Sequence, residues 1–319
     1  MHTTVRFLLF VSVTFLISSC DSGDSFEKID PEVNWETPAP IGVGVPLGEN
    51  QLNATADVAG TYTYSPDSGT VLEEGLQQEL TVLFTPKYPS AFNEVSLSVM
   101  IDVVNKGSSN ANFNSNIEYG IVADIDGNAY KTVTIGGKTW MAENLRTTKY
   151  QNGDDITLVT NNSEWVNRNA EAYSSYSNTE DLDERATYGL LYNWQAVSDS
   201  RNIAPEGWHV ATQADWEALI AAVGNVDNAG GRLREAGSLH WNGNNTSTNP
   251  SGFTALPGGR RQYTDGTFIN QGFNAFFWSA TANGPDFAFY YQVNYDSSPI
   301  VAANFLKAAG YSVRCVKNE

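Results

Sequence analysis

The sequence predicts an all-β sandwich followed by an α+β domain, on three observations. Residues 32–105 read as successive strands, with apolar residues on alternate positions and no helix signal. Beyond about residue 121 the composition changes, and seven of the eight tryptophans lie there. This second stretch opens on a β-hairpin, carries two short helices and closes on an alternating strand. A length of 319 residues fits about two domains. Low charge content (17%), 12% aromatics and 27 glycines suit loop-rich extracellular domains rather than helical cytosolic ones. The balance of 36 acidic against 18 basic side chains, a net charge of −18, argues against nucleic acid, which needs a basic surface. Neutral glycans, proteins and cations such as Ca²⁺ remain as partners.

The first element is an address. "MHTTVRFLLFVSVTFLISSC" has one cation, Arg6, before an apolar run from Phe7 to Ile17, too short to span a bilayer. Ile17-Ser18-Ser19-Cys20 resembles a bacterial lipobox, which implies a signal peptide over 1–19 and a diacylglycerol on Cys20. Residues 20–31 form an acidic tether ("DSGDSFE" follows the cysteine). It is similar to the stretch that routes lipoproteins of Bacteroidetes-type bacteria to the outer cell surface. The expected location is the outer membrane or cell surface, with the lipid anchor as the only membrane contact.

Within 32–105, "GTYTYSP" (60–66) and "LTVLFTP" (80–86) alternate and stop at proline. "EVSLSVMIDVV" (94–104) sets Val95, Leu97, Val99, Ile101 and Val103 on one face. The order "TPAPI…LNATA…GTYTYSP…GTVL" resembles the disulfide-free bacterial Ig-like repeats of surface proteins. That likeness implies an Ig-like sandwich serving as a spacer. Residues 106–120 follow as a linker, with polar "NKGSSNANFNSN" at 105–116.

From 121 to 319, "DIDGNAYKTVTIGGKTWMAENL" predicts strands at Tyr130–Ile135 and Lys138–Met141 around a Gly136-Gly137 turn. "ATYGLLYNWQAV" (186–197) reads as a buried apolar segment. In "GWHVATQADWEALI" (207–220), Thr212 is the N-cap and Asp215 the reciprocal N3 partner. Ala211 and Trp216 form a hydrophobic staple. Trp216, Leu219, Ile220 and Val223 make one apolar stripe, and Gly224 stops the helix. "AGGRLREA" (229–236) predicts a second helix, and "GYSVRCV" the closing strand. Helices set between an N-terminal hairpin and a C-terminal strand match the C-type-lectin-like plan.

"DGNAYKTVTIGGKTWMAENL", "YGLLYNWQAV", "APEGWHVATQADWEALI", "SGFTALPGGRR", "FWSAT" and "GYSVRCV" occur in this order. The set closely resembles the Fibrobacter succinogenes major paralogous domain family, over about 121–319. The family occurs on secreted and lipid-anchored bacterial proteins, and the resemblance implies no particular activity. More distantly, "GWHVATQADWEALI" is similar to a segment of the sulfatase-modifying enzymes, which share a lectin-like fold and act through cysteines. Here the mature domain keeps only Cys315, so no cysteine pair is available and that chemistry is not expected.

Each catalytic candidate has a structural alternative that is preferred. His209 with Asp215 and Glu217 has the look of an acid–base or metal group, but Asp215 is used as a cap and Glu217 lies on the solvent side. His240 reads as a loop residue and Cys315 as a small buried hydrophobe. No nucleophile elbow, dinucleotide fingerprint or P-loop is present. The expected recognition surface is the loop region 238–300, where aromatics mix with amides, as in sugar and protein binding. Phe253, Phe268, Trp278 and Phe289 are assigned to the core. Trp241, Asn242, Asn245, Tyr263, Asp265, Asp286, Tyr291 and Tyr295 are the ligand-binding candidates. Ca²⁺ is the one cofactor left open, through loop oxygens. The sequence therefore predicts a non-enzymatic surface lipoprotein that binds a glycan or a cell-surface protein. The alternatives are a structural subunit of a surface or fimbria-like assembly, and a diverged enzyme on the sulfatase-modifying scaffold.

Overall fold

The computed structural model describes residues 27–319. Residues 1–19, expected to be a signal segment, and Cys20, the expected lipidation site, lie outside the described residues. Strands dominate, arranged in several sheets.

The N-terminal block contains β1 (Val33–Asn34), β2 (Ile41–Gly42), β3 (Thr55–Ala56), β4 (Gly60–Ser65), β5 (Gly75–Pro86) and β6 (Val95–Val104). The last three match the strands expected from alternation. They form one sheet in the order β2-β6-β5-β4, with β2 parallel to β6, and β1 and β3 pair separately. Leu80, Ile101 and Val103 face a core completed by Ile41, Val45, Leu47 and Leu52. A second full sheet, as a sandwich requires, is not formed by the described residues. Loop residues Val45, Leu47 and Leu52 cover the sheet instead, because Gly and Pro interrupt that stretch before any strand can extend. The predicted face of β6 is accordingly buried only at Ile101 and Val103, and is half-buried at Val95, Leu97 and Val99.

The polar segment 105–116 does not hang free. Ser108 N–H donates to Asp183 Oδ1 (2.8 Å), Asn110 N–H to Thr187 Oγ1 (3.2 Å) and Asn112 N–H to Glu235 Oε1 (2.6 Å). Its small polar residues carry few side-chain contacts but many backbone donors, and these find acceptors on the C-terminal part.

That part begins with β7 (Gly120–Ala123), β8 (Ala129–Ile135) and β9 (Lys138–Met141). Gly136 and Gly137 have φ of 61° and 85°, as a two-residue hairpin turn with the favoured twist demands. There follow α1 (Asn162–Asn167), β10 (Tyr173–Ser174), α2 (Leu182–Tyr188), β11 (Leu191–Tyr192) and α3 (Trp194–Val197). The apolar segment 186–197 thus divides into a helix end, a strand and a helical turn. Next come β12 (Trp208–Val210), α4 (Gln213–Val223) and α5 (Ala229–Leu233). The second helix ends three residues before its expected limit, because Arg234 turns away to donate to the Asn294 and Tyr295 carbonyls. Finally there are β13 (Gly258–Arg261), β14 (Phe268–Gln271), β15 (Asn274–Asn283), β16 (Phe287–Asn294), β17 (Ile300–Leu306) and β18 (Cys315–Lys317).

Two five-stranded sheets result, β12-β18-β9-β8-β7 and β14-β13-β15-β16-β17. The C-terminal strand lies between β12 and the opening hairpin, through Val316↔Trp140 and Val210↔Cys315. The core between the elements is aromatic: Trp140, Trp216, Phe253, Phe277 and Tyr291 form one cluster, and Tyr192, Phe276, Trp278 and Tyr311 belong to another. Phe253 and Trp278 are fully buried as expected, and Phe268 and Phe289 are half-buried. Two arginines, Arg261 and Arg314, are also fully buried.

Candidate functional site

The 207–220 corner is structural in detail. Thr212 accepts from Asp215 N–H, and Asp215 accepts back from the Thr212 N–H at 2.9 Å, a complete capping box. Ala211 and Trp216 are both buried, and Glu217 is exposed, bonded only to Gln213. His209 bridges Asn318 Oδ1 (2.7 Å) and Asp215 Oδ2 (3.0 Å), which ties the helix entry to the chain end. Glu217 is one helical step to the solvent side, so the three do not converge on a common substrate position.

Burial pushes the Asp215 carboxyl up, but hydrogen bonds from the Thr212 side chain and backbone and from His209 outweigh it and hold it below the usual range. A depressed folded-state value means stability that is present above the unfolded value, about pH 3.9, and lost as pH falls through the folded one. Asp215→Ala is expected to cost about 1–2 kcal/mol at neutral pH. It should also flatten the acid limb of the stability–pH curve, as measured by urea unfolding between pH 2 and 7.

The eight ligand-binding candidates do not form one surface. Trp241, Asn245 and Tyr291 are buried, and for these three the expected exposure is corrected. Trp241 donates from its indole to Ala255 O (3.1 Å), and Asn245 bonds the Glu235 and Gly237 carbonyls. Tyr291 stacks on Trp216 with centroids 4.7 Å apart. Each fills or pins the interior: the loop carrying Trp241 and Asn245 folds over the sheet, and Tyr291 lies within β16 with its ring on the buried face.

The remaining five divide between the two ends of the C-terminal sheet. Since β13 and β15 run parallel, the 262–267 and 284–286 turns lie together at one end, carrying Tyr263, Asp265 and Asp286. Asp265 is committed to its own turn through Thr267 N–H (3.0 Å) and Oγ1 (2.7 Å), and Tyr263 packs edge-on against Phe305. At the opposite end, Asn242 and Tyr295 meet. Asn242 N–H donates to Gly272 O (2.7 Å), and Tyr295 N–H donates to Phe273 O (2.9 Å).

This second end is a rim with recognition chemistry. Phe273, which the sequence reading missed, is 43% exposed and meets Tyr295 edge-on at 5.3 Å. Gly272 between them has φ +83°, and a side chain there would strike the Asn242 amide at 2.9 Å. On the opposite face of the same strand ends, the half-buried Asn274 donates to Asn294 Oδ1 (2.6 Å), Gln292 bonds the same oxygen, and Asn294 donates to Ser297 (3.3 Å). Arg234 holds the backbone beneath through the Asn294 and Tyr295 carbonyls. The rim therefore presents two crossed aromatic rings with Asn242 at the sheet end, and the Asn274–Gln292–Asn294 amides brace the strand ends from the other face. The "NQGFN" turn at 270–274 was the available signal, since a glycine-anchored hairpin tip exposes the next aromatic.

Other candidates resolve differently. His240 is a loop residue, as read, with its ring largely enclosed; its Nδ1 lies 2.8 Å from Glu235 Oε1 and its Nε2 2.8 Å from Asn110 Oδ1. The pair clamps the 110–112 segment. Cys315 is fully buried, and burial pushes its thiol up, away from the reactive thiolate. A cleft of about 860 Å³ separates the N-terminal block from the 123–127 turn; Glu36, Glu49 and Glu206 line it without any Lys or Arg. Among the described residues, no three His, Cys, Asp or Glu side chains gather as for a metal ion, and no helix is long and apolar enough to cross a membrane.

Residues 133–317 match the family model described as the Fibrobacter succinogenes major domain. No curated protein matches the chain, and no solved structure matches it.

Proposed function

The chain belongs to the Fibrobacter succinogenes major domain family, and from that premise we propose that it is a lipid-anchored cell-surface protein whose C-terminal domain recognises a glycan or a surface protein. The observation that carries the reading is the rim of Phe273, Tyr295 and Asn242 at one end of the C-terminal sheet. Sugar rings stack on aromatic faces while their hydroxyls bond amides, and such sites work best when the side chains are held in advance. In this reading the C-terminal domain follows the C-type-lectin-like plan, which is supported by the C-terminal strand lying beside the opening hairpin. The N-terminal block serves as an Ig-like spacer, supported by its exposed, Thr- and Tyr-rich β4 edge and small core. The anchor reading rests on Ile17-Ser18-Ser19-Cys20.

The test is a glycan array and polysaccharide pull-down with the full chain, each run with and without EDTA. Retention of a defined glycan supports recognition, and its loss in EDTA assigns Ca²⁺ to the site. No retention on any panel, together with self-association on sizing, moves the assignment to a structural subunit.

A further inference from the structure

We propose that a second cavity, beside the 105–116 segment and separate from the aromatic rim, binds a small hydroxylated oxyanion of the sugar-acid or hydroxy-acid class. The cavity measures about 170 Å³ and lies between α2, the stretch after β9 and the chain entering from β6. Lys106, Arg146 and Arg185 all line it, in a chain whose net charge is −18. Among the described residues none of the three forms an ion pair, and the fold brings them together at one small cavity. Three unpaired cations around one small cavity are not what an acidic protein needs for solubility.

Arg146 carries the case furthest. It is 8% exposed and lies over the Tyr130 ring at 4.6 Å, with Nη2 donating to Ala129 O at 2.9 Å. Its Nε and Nη1 are buried and meet no acceptor among the described residues. Buried donors are nearly always satisfied, and an unmatched buried charge is costly. A carboxylate or sulfate matches the planar fork of a guanidinium with two parallel hydrogen bonds. Arg185 is fixed by Nε donating to Thr179 O (2.7 Å), which leaves its terminal nitrogens for another acceptor. The Tyr173 ring also lines the cavity, and its hydroxyl adds a donor.

Asp126 sets the selectivity. It lines the same cavity, and its Oδ2 accepts from Thr147 Oγ1, Thr148 N–H and Thr148 Oγ1, while Oδ1 accepts from no group among the described residues. A carboxylate at this position repels a bare anion but accepts from a hydroxyl next to the anionic group. The space corresponds to about six waters at ~30 Å³ each, the scale of a small organic acid, with Leu182 and Leu190 against its carbon skeleton.

The experiment titrates glucuronate, sulfate and glucose into the full chain by calorimetry, at low and high salt. Glucuronate is expected to bind with an affinity that falls as salt rises, more tightly than sulfate, and glucose is expected not to bind. Lys106→Gln and Arg185→Gln, checked for unchanged unfolding midpoints, should each weaken glucuronate at least about fivefold. Phe273→Ala with Tyr295→Ala should leave it unchanged, which separates this site from the rim. Absence of glucuronate binding, or equal binding by the Lys106→Gln/Arg185→Gln double variant, would overturn the proposal. Sulfate binding as tightly as glucuronate would overturn the part given to Asp126.

Discussion

Arg314→Met is expected to destabilise the C-terminal domain by about 3–5 kcal/mol, one of the two largest effects of any single change considered. Arg314 is fully buried on the closing segment, just before β18. Its Nε donates to Asn144 Oδ1 (2.7 Å), Nη1 to Met141 O (2.9 Å) and Phe253 O (2.8 Å), and Nη2 to Thr254 O (2.9 Å). The guanidinium also lies over the Phe253 ring at 4.5 Å. Burial works against its charge and lowers its pKa, and these acceptors offset that penalty. Methionine fills much of the volume but leaves three buried carbonyls and an amide oxygen without donors, at about 1–3 kcal/mol each before relaxation. Lysine retains the charge yet lacks the fork needed to reach all four acceptors, so Arg314→Lys should recover little. Denaturant unfolding followed by tryptophan fluorescence reads this domain, since seven of the eight tryptophans lie in it. A loss under about 1 kcal/mol would mean that the network is incidental.

Trp216→Ala is expected to cost a similar amount, about 3–5 kcal/mol, through a different mechanism. Trp216 is fully buried, stacked on Tyr291 at 4.7 Å and crossed by Trp140 and Phe277 at 5.3 Å and by Phe253 at 5.7 Å. Truncation opens a cavity that four rigid rings cannot collapse into, and it also removes aromatic pairing worth about 0.5–1.5 kcal/mol per pair. The indole N–H has no protein partner, so Trp216→Phe loses volume but no hydrogen bond and should cost markedly less. The gap between the two variants measures packing. Both should exceed Asp215→Ala, which removes a cap and an ion pair while leaving the aromatic cluster intact.

What was legible in the sequence was local. The Thr212–Asp215 capping box, the Gly136-Gly137 turn and the alternation of β5 and β6 depend on neighbours within a few residues, and each appears as read. Contacts between distant segments were not legible. The Arg314 network joins residues 141–144, 253–254 and 314, and nothing in "GYSVRCV" reveals that its arginine points inward. The short helices α1, α2 and α3 were missed because four to seven residues with scattered polar positions show no 3.6-residue period.

The exposure expected of the candidate residues held at some positions and not at others for one physical reason. Tyr and Trp beside Asn and Ser suit both a recognition loop and a core whose loops fold inward with their polar tips bonded. Trp241, Asn245 and Tyr291 took the second course, while Asn242 and Tyr295 reached the rim. Which residues meet there follows from the strand order β14-β13-β15-β16-β17, which joins the 241–243, 272–273 and 295–299 loops at one sheet end. That pairing is a long-range property invisible to periodicity. The Lys106–Arg146–Arg185 cavity was equally hidden, since its cations come from three separated segments of an acidic chain.

The central claim is that the rim, and not the 207–220 corner, carries recognition. The most direct measurement compares glycan retention by the full chain with that of Phe273→Ala/Tyr295→Ala and of His209→Ala, alongside their unfolding midpoints. The rim double variant should lose retention with the domain still folded and only a modest fall in midpoint, because Phe273 is exposed and Tyr295 is a half-buried residue at the margin of the core. His209→Ala should retain the glycan with a slightly lowered midpoint. Full retention by the rim variant, with loss in His209→Ala, would contradict the account.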